Sequence, residues 1–297
     1  MSTRSNQSLA WGIGIVFGLI FLQKLFIMYT DYLWYQSLGQ AAVYLKILGT
    51  RTLLFVIAGG AFFFWLHLNL RYARRPLPGD VKLIGRRLLP DEERSQIEAY
   101  ADKGLLVFAL VGAFMAGVVA SGKWRELLQF THALPFDDRD AVFGLDLGFY
   151  IFRLSFLNYV WQSVFFAIVL TFVASALVHI YQEALRLVGN KIHATPQARF
   201  HLLGLLGLAL LVKAYLYRLA QYGLLYSNRG EEFFGPGFAD LHARLPVLYG
   251  LIVIAVAAAV VLFVSIRGQG HKVPAGALAA VLLVSLLGGW IYPALVQ

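Results

Sequence analysis

Residues 246–266 read PVLYGLIVIAVAAAVVLFVSI, an unbroken run without one charged side chain. As an α-helix rising 1.5 Å per residue it is about 32 Å long, the depth of a bilayer's hydrocarbon layer. Similar apolar runs occupy 9–28, 53–70, 104–120, 157–178 and 202–221, and a last one, 275–292, stops before Pro293, which cannot continue a helix. The fold predicted is all-α: a polytopic transmembrane bundle of seven spans forming one transmembrane domain over 1–297, with interfacial helices in the outer loops. A cleavable leader at the first run is disfavoured because no small-residue cleavage site follows it and the apolar core leads into Tyr29, Tyr32 and Trp34.

Composition agrees. Of 297 residues, 59% are hydrophobic and 14% charged, where soluble domains carry about 25% charged. Mean hydropathy is +0.68. These values exclude disordered and collagen-like chains. The absence of cysteine excludes disulfides, thiol catalysis and cysteine-held zinc or iron–sulfur clusters.

Charge sets the orientation, because lysine and arginine gather on the cytoplasmic side of spans. The loop 71–103 holds Arg71, Arg74, Arg75, Lys82, Arg86, Arg87, Arg94 and Lys103. With that loop cytoplasmic, the inner side carries fourteen cations against seven acids, the outer side nine of each, and Lys24 and Lys213 lie within spans. The amino terminus is then cytoplasmic and the carboxyl terminus extracytoplasmic, in a bacterial inner membrane, with outer loops at 121–156 and 222–245. The net +9 needs no nucleic acid; lipid phosphates are its nearest counter-ions. Asp31 to Arg51, rich in Tyr and Trp, suits a helix lying on the outer interface. Asp91-Glu-Glu after Pro90 marks a helix start that leads into the third span. Trp11, Trp65, Trp161 and Trp290 fall near span ends, as an aromatic belt would.

Gly14 and Gly18, and likewise Ala113 and Gly117, sit four apart as helix-packing faces, and Gly204, Gly207, Gly288 and Gly289 offer the same. Lys24 can snorkel to the interface; Lys213 lies deeper, on one face with Tyr217 and Gln221, and either snorkels or lines a polar path. Asp240, His242 and Arg244 would share one face of a strand, bringing together a carboxylate, a proton shuttle and a cation. In a helix that convergence vanishes, leaving Asp240 to cap a turn and Arg229 or Arg244 to neutralise the acids. The histidines are scattered without an i, i+4 pair, so no metal site is assigned. Asp140 and Asp146 lie in an outer loop that does not match a calcium loop. The expected arrangement there is acids toward water with Phe149, Tyr150 and Phe152 toward lipid. No repeat or inverted pair of broken spans is present, which lowers a transporter reading.

Trp124-Arg-Glu-Leu-Leu, Asp140-Ala-Val-Phe-Gly-Leu-Asp-Leu-Gly-Phe-Tyr, Tyr226-Ser-Asn-Arg-Gly, Asp240-Leu-His-Ala-Arg-Leu-Pro and Ile291-Tyr-Pro-Ala-Leu-Val-Gln resemble bacterial membrane proteins of uncharacterised protein family 0182. The resemblance implies seven amino-terminal spans followed by a large extracytoplasmic region, before which this chain stops. It assigns no activity and no residue roles.

The leading expectation is a multi-pass anchor or scaffold that docks a protein partner or a separately encoded extracytoplasmic domain, with membrane lipids around it. Its candidate docking residues are Asp140, Asp146, Arg229, Asp240, His242 and Arg244. A transporter or channel using Lys213, Tyr217 and Gln221 is the alternative, and an envelope enzyme on a lipid-linked substrate using Asp240, His242 and Arg244 is a third. No catalytic, cofactor-binding or metal-binding residue is assigned, and any cofactor is left unknown.

Overall fold

The computed structural model of the chain describes residues 2–75, 91–188, 191–226, 235–268 and 272–286. It is an all-α bundle: α1 (Ser2–Ser37), α2 (Ala41–Ala73), α3 (Asp91–Ser121), a short α4 (Trp124–Thr131), α5 (Leu154–Tyr181), α6 (Pro196–Gly223), α7 (Leu245–Ser265) and α8 (Lys272–Leu286). Among the described residues six helical stretches are long and apolar enough to cross a membrane: Gly14–Ser37, Ala41–Ala73, Ser95–Ser121, Phe149–Tyr181, Pro196–Gly223 and Asp240–Ser265. Of the expected seventh span, 275–292, the described residues include the 15-residue α8. Residues 287–292 of that expectation lie outside the described residues, as do residues 76–90 of the 71–103 loop.

The segment from Asp31 to Arg51 does not form a separate interfacial helix. Its residues extend α1 and α2, which meet at a turn over 38–40 with Gly39 at φ +70°. The Tyr44 hydroxyl donates to the Met28 carbonyl across this hairpin at 2.8 Å, and the Tyr32 and Tyr35 rings pack on Tyr44. Helix α2 is thus about 50 Å long. The helix start expected after Pro90 is present, and α3 runs unbroken into the third span.

Glycines set the closest crossing. A Cβ on Gly59 would lie 2.9 Å from the Ala113 carbonyl oxygen, and one on Gly117 2.8 Å from that of Phe55. The Ala113–Gly117 face is therefore where α3 meets α2. Gly207 likewise admits the Phe263 ring of α7, whereas Gly14, Gly18 and Gly204 face open space.

Large apolar side chains point outward, among them Phe21, Phe64, Phe114, Phe166, Val253 and Val264, as expected of a lipid-facing surface. Inside, Leu66, Leu70, Ala73, Ala109 and Val178 form one cluster, and Ile168, Leu205, Ala209 and Val212 another. Trp65 and Trp161 pack against the second cluster.

Between α5 and α6 the chain makes a two-stranded antiparallel hairpin, β1 (Leu185–Val188) and β2 (Lys191–Ala194), with Leu185 opposite Ala194. The Thr195 N–H donates to the Ala184 carbonyl at 2.8 Å, so α5 returns directly as α6. Thr195 then caps α6: its hydroxyl accepts from the Ala198 N–H at 3.3 Å, and Pro196 follows where no N–H is needed. Thr195→Ala should cost about 1 kcal/mol, read as a lowered thermal midpoint in detergent without loss of helix content.

Candidate functional site

We call the end where α2 stops and α3 begins the basic end, and the opposite one the far end. At the far end residues 132–153 fold into a cap built around two carboxylates. Asp140 accepts from the backbone N–H of Val142, Phe143 and Leu145 and from the Tyr150 hydroxyl, the last at 2.8 Å. Asp146 accepts from the N–H groups of Phe136, Asp137 and Gly148. Gly144, at φ +67°, makes the intervening turn, and Gly148 leaves room for the Leu134 carbonyl and the Asp146 carboxylate.

Tyr150 does not face lipid as expected: it is 5% exposed and packs with Leu154 and Leu219. The Asp140 carboxylate accepts from its hydroxyl, as a buried tyrosine requires of a neighbour. Tyr222 of α6 holds the cap on the bundle, its ring centroid 5.1 Å from that of Phe143 and 5.3 Å from that of Phe149. The Arg218 guanidinium lies over the Tyr222 ring at 4.7 Å and the Phe143 ring at 5.5 Å.

Burial pushes the Asp140 carboxyl up, but the hydrogen bonds from Phe143, Tyr150, Leu145 and Val142 outweigh it and leave it below its ordinary range. At Asp146 the slight desolvation also acts upward and is outweighed by the Phe136, Gly148 and Asp137 amides. Groups depressed in this way stabilise the fold above the unfolded carboxyl range and lose that contribution as pH falls through the folded value. Amide exchange at Val142, Phe143, Leu145 and Gly148 should therefore stay slow at neutral pH and accelerate below about pH 4, before the spans lose protection.

Asp240, His242 and Arg244 lie in a single π-helical turn, Asp240–Arg244, that leads into α7, and a second such turn, Phe149–Arg153, leads into α5. Asp240 is buried; it accepts from the Gly237 N–H at 3.1 Å and from Arg244 Nη1 at 2.8 Å. His242 is exposed and stacks on Phe238 with centroids 4.1 Å apart. The strand-like convergence of all three is therefore absent: Arg244 neutralises Asp240, and His242 stands apart. Arg229 lies outside the described residues.

On α6 the Lys213 ammonium lies over the Phe165 ring at 5.5 Å and the Tyr217 ring at 5.0 Å. The Tyr217 hydroxyl is 3.0 Å from Ser285 of α8, and the buried Gln221 accepts from Arg218 at 2.7 Å. Lys213 and Tyr217 are thus in contact, while Gln221 turns to the cap.

A further polar cluster sits toward the basic end, between α2, α5 and α6. His179 Nε2 lies 3.1 Å from His201 Nδ1, and His201 Nε2 lies 3.1 Å from Asn69 Oδ1. Both rings are buried, and the Tyr72 ring meets His201 edge-on at 4.8 Å. Nearby Gln182 donates to the Arg74 carbonyl, and Arg74 pairs with Asp102 of α3 at 2.6 Å. A hollow of about 260 Å³ opens beside them, lined by His67, Leu70, Arg71, Arg74, Asp102 and Leu105. The two histidines come from different helices and meet across the α5–α6 return, so no i, i+4 spacing in the sequence marks them. The cluster's legible signal is Thr171, Ser175 and His179 at four-residue spacing in an apolar span. Among the described residues no group of three or more His, Cys, Asp or Glu side chains is placed to hold a metal ion.

Spans, outward apolar surface and buried polar groups together define a multi-pass α-helical membrane protein. The sequence model described as "Uncharacterised protein family (UPF0182)" matches residues 9–297, and the chain belongs to that family. It is 37% identical over 289 residues to a UPF0182 protein of Thermobifida fusca, covering 95% of this chain and 27% of that protein. Similar proteins of Rhodococcus erythropolis (34% identical) and Mycobacterium marinum (32%) align with all of this chain and with 31% and 30% of their own lengths. The chain thus spans less than a third of the curated relatives it matches. No solved structure matches it.

Proposed function

We propose that the chain is a membrane anchor in the bacterial inner membrane whose far-end cap docks an extracytoplasmic protein region. The basic end then faces the cytoplasm, in keeping with the excess of lysine and arginine there. The observation that carries this reading is the cap itself. Its backbone is fixed by Asp140 and Asp146 and its aromatics are clamped to α6 by Tyr222, yet Leu134 (71% exposed) and Phe136 (51%) project from it, and Phe238 (71%) projects from the segment leading into α7 at the same end. A stiff loop bearing exposed apolar anchors suits protein docking, because little ordering cost remains on binding. Relatives three times as long supply an occupant of the right kind, a protein region additional to the spans.

Photo-crosslinking side chains at Leu134 and Phe238 should capture a protein in living cells, while one at Tyr100, 71% exposed near the basic end, should not capture the same species. Elution of the untreated chain as a lone monomer in every mild detergent, with no crosslink from either far-end position, would count against docking.

The transporter reading draws on the half-buried Lys213 over Phe165 and Tyr217. Lys213→Leu should leave folding intact and abolish flux of the carried solute in reconstituted vesicles; unchanged flux removes this reading.

A further inference from the structure

One face of α5 carries Thr171, Ser175 and His179, each fully buried and each about 6 Å from the next along the helix. Thr171 Oγ1, Ser175 Oγ and His179 Nδ1 have no hydrogen-bond partner in the protein, nor has Trp65 Nε1 on the facing α2. An unsatisfied buried polar group costs roughly 1–3 kcal/mol, and folded proteins keep few. Three in a row on one helix face call for an occupant.

The hydrogen bonds determine what that occupant supplies. Asn69 Nδ2 donates to the Trp65 carbonyl at 2.7 Å, so its Oδ1 is the acceptor facing His201, and His201 Nε2 must donate. In a neutral ring His201 Nδ1 is then a lone pair, and His179 Nε2 donates to it. What remains is His179 Nδ1, a basic lone pair with no donor. Helical side chains lean toward the preceding turn, which carries Ser175.

We propose that Asn69, His201, His179, Ser175 and Thr171 form an internal proton-binding site. Water held by the two hydroxyls fills the row; as a proton from the bulk binds its oxygen, one of the water's own O–H bonds breaks and that proton passes to His179 Nδ1, leaving the water neutral. An N–H bond forms there, the His179 Nε2–H bond breaks, and its proton forms a new N–H bond at His201 Nδ1. The positive charge thereby passes to His201, whose Nε2–H continues to donate to Asn69. One proton enters and the pair gains one charge.

Gln182 Oε1 and Arg74 Nη1 are also buried without partners, and Arg74 lines the hollow at the basic end. From α2 the pair is faced by Asn69, Trp65 and Tyr72. The nearby charges have partners of their own: Arg74 with Asp102, Arg75 over the Tyr72 ring, and Arg199 on the Ser265 carbonyl. His67 is stacked on Phe63, and the buried side chains of α7 are all apolar. With no third ligand from His, Cys, Asp or Glu among the described residues, a proton fits the site better than a metal ion does.

The test is nitrogen-15 NMR of the full chain, labelled at histidine, in lipid bilayers. The resonances lost in His179→Gln, which keeps a donor to His201 but removes the base, identify His179. At neutral pH they should show a protonated Nε2 and a bare Nδ1 in contact with water. Acidification should convert the pair to an imidazolium. Ser175→Ala and Thr171→Val, small changes that preserve packing, should remove the water contact. A proton on Nδ1 at neutral pH, a dry Nδ1, a pair unmoved by acid, or water contact unchanged in the double variant would each overturn the proposal.

Discussion

Asp140→Ala should unfold the far-end cap while leaving the spans helical. The substitution removes the acceptor of three backbone N–H groups and of the Tyr150 hydroxyl at once. The amides lie near water and recover part of their bonding there; the Tyr150 hydroxyl loses its Asp140 bond on a side chain packed with Leu154 and Leu219. At about 1 kcal/mol for each bond lost, the local loss is roughly 2–4 kcal/mol. Asp140→Asn keeps the acceptor oxygen and should recover part of it. The measurement is limited proteolysis with mass mapping: new cuts between residues 132 and 148 are expected in the alanine variant and fewer in the asparagine one. If Asp140→Ala is cut no faster than the parent chain, the carboxylate is not what holds the cap, and the docking surface loses its support.

Gly117→Val should separate α2 from α3. Even the first atom of the new side chain would fall 2.8 Å from the Phe55 carbonyl oxygen and 2.8 Å from its ring, and the carbonyl cannot swing aside. The helices must part, losing contact around Gly59 and Ala113, at a cost of about 1–3 kcal/mol and a lower thermal midpoint in detergent. Two neighbouring glycines serve as controls. A Cβ at Gly112 meets only the Phe62 ring, which can rotate, and one at Gly60 meets nothing within 4 Å. Gly60→Ala should be neutral or stabilising, since alanine is the better helix former by about 1 kcal/mol. Equal losses at all three positions would contradict the crossing described above.

The spans were legible because an apolar run long enough to cross a bilayer has few other uses; 246–266 became α7 with ends shifted by one residue. The ends of other elements were less legible. Asp31 to Arg51 carries the mixed composition of an interfacial segment, but its polar residues extend two long helices beyond the apolar zone. The Asp140 and Asp146 motifs were visible as carboxylates among glycines and aromatics. Their partners were not, since backbone amides leave no mark in a sequence and Tyr150 reads equally well as a lipid-facing ring. His179 and His201 are 22 residues apart, and their meeting depends on the register set by the hairpin at 185–194. Nothing in either helix alone encodes it. Asp240 and Arg244 were open to a strand or a helix reading, and the helical one holds, with the i, i+4 pair in contact.

The docking reading rests on which face of the membrane the cap occupies. The chain has no cysteine, so a single introduced thiol is a unique reporter. In intact cells a membrane-impermeant maleimide should label Leu134→Cys fully and leave Ile97→Cys unlabelled until the membrane is opened. Labelling of Ile97→Cys but not Leu134→Cys in unopened cells would place the cap in the cytoplasm, and an extracytoplasmic partner could not reach it.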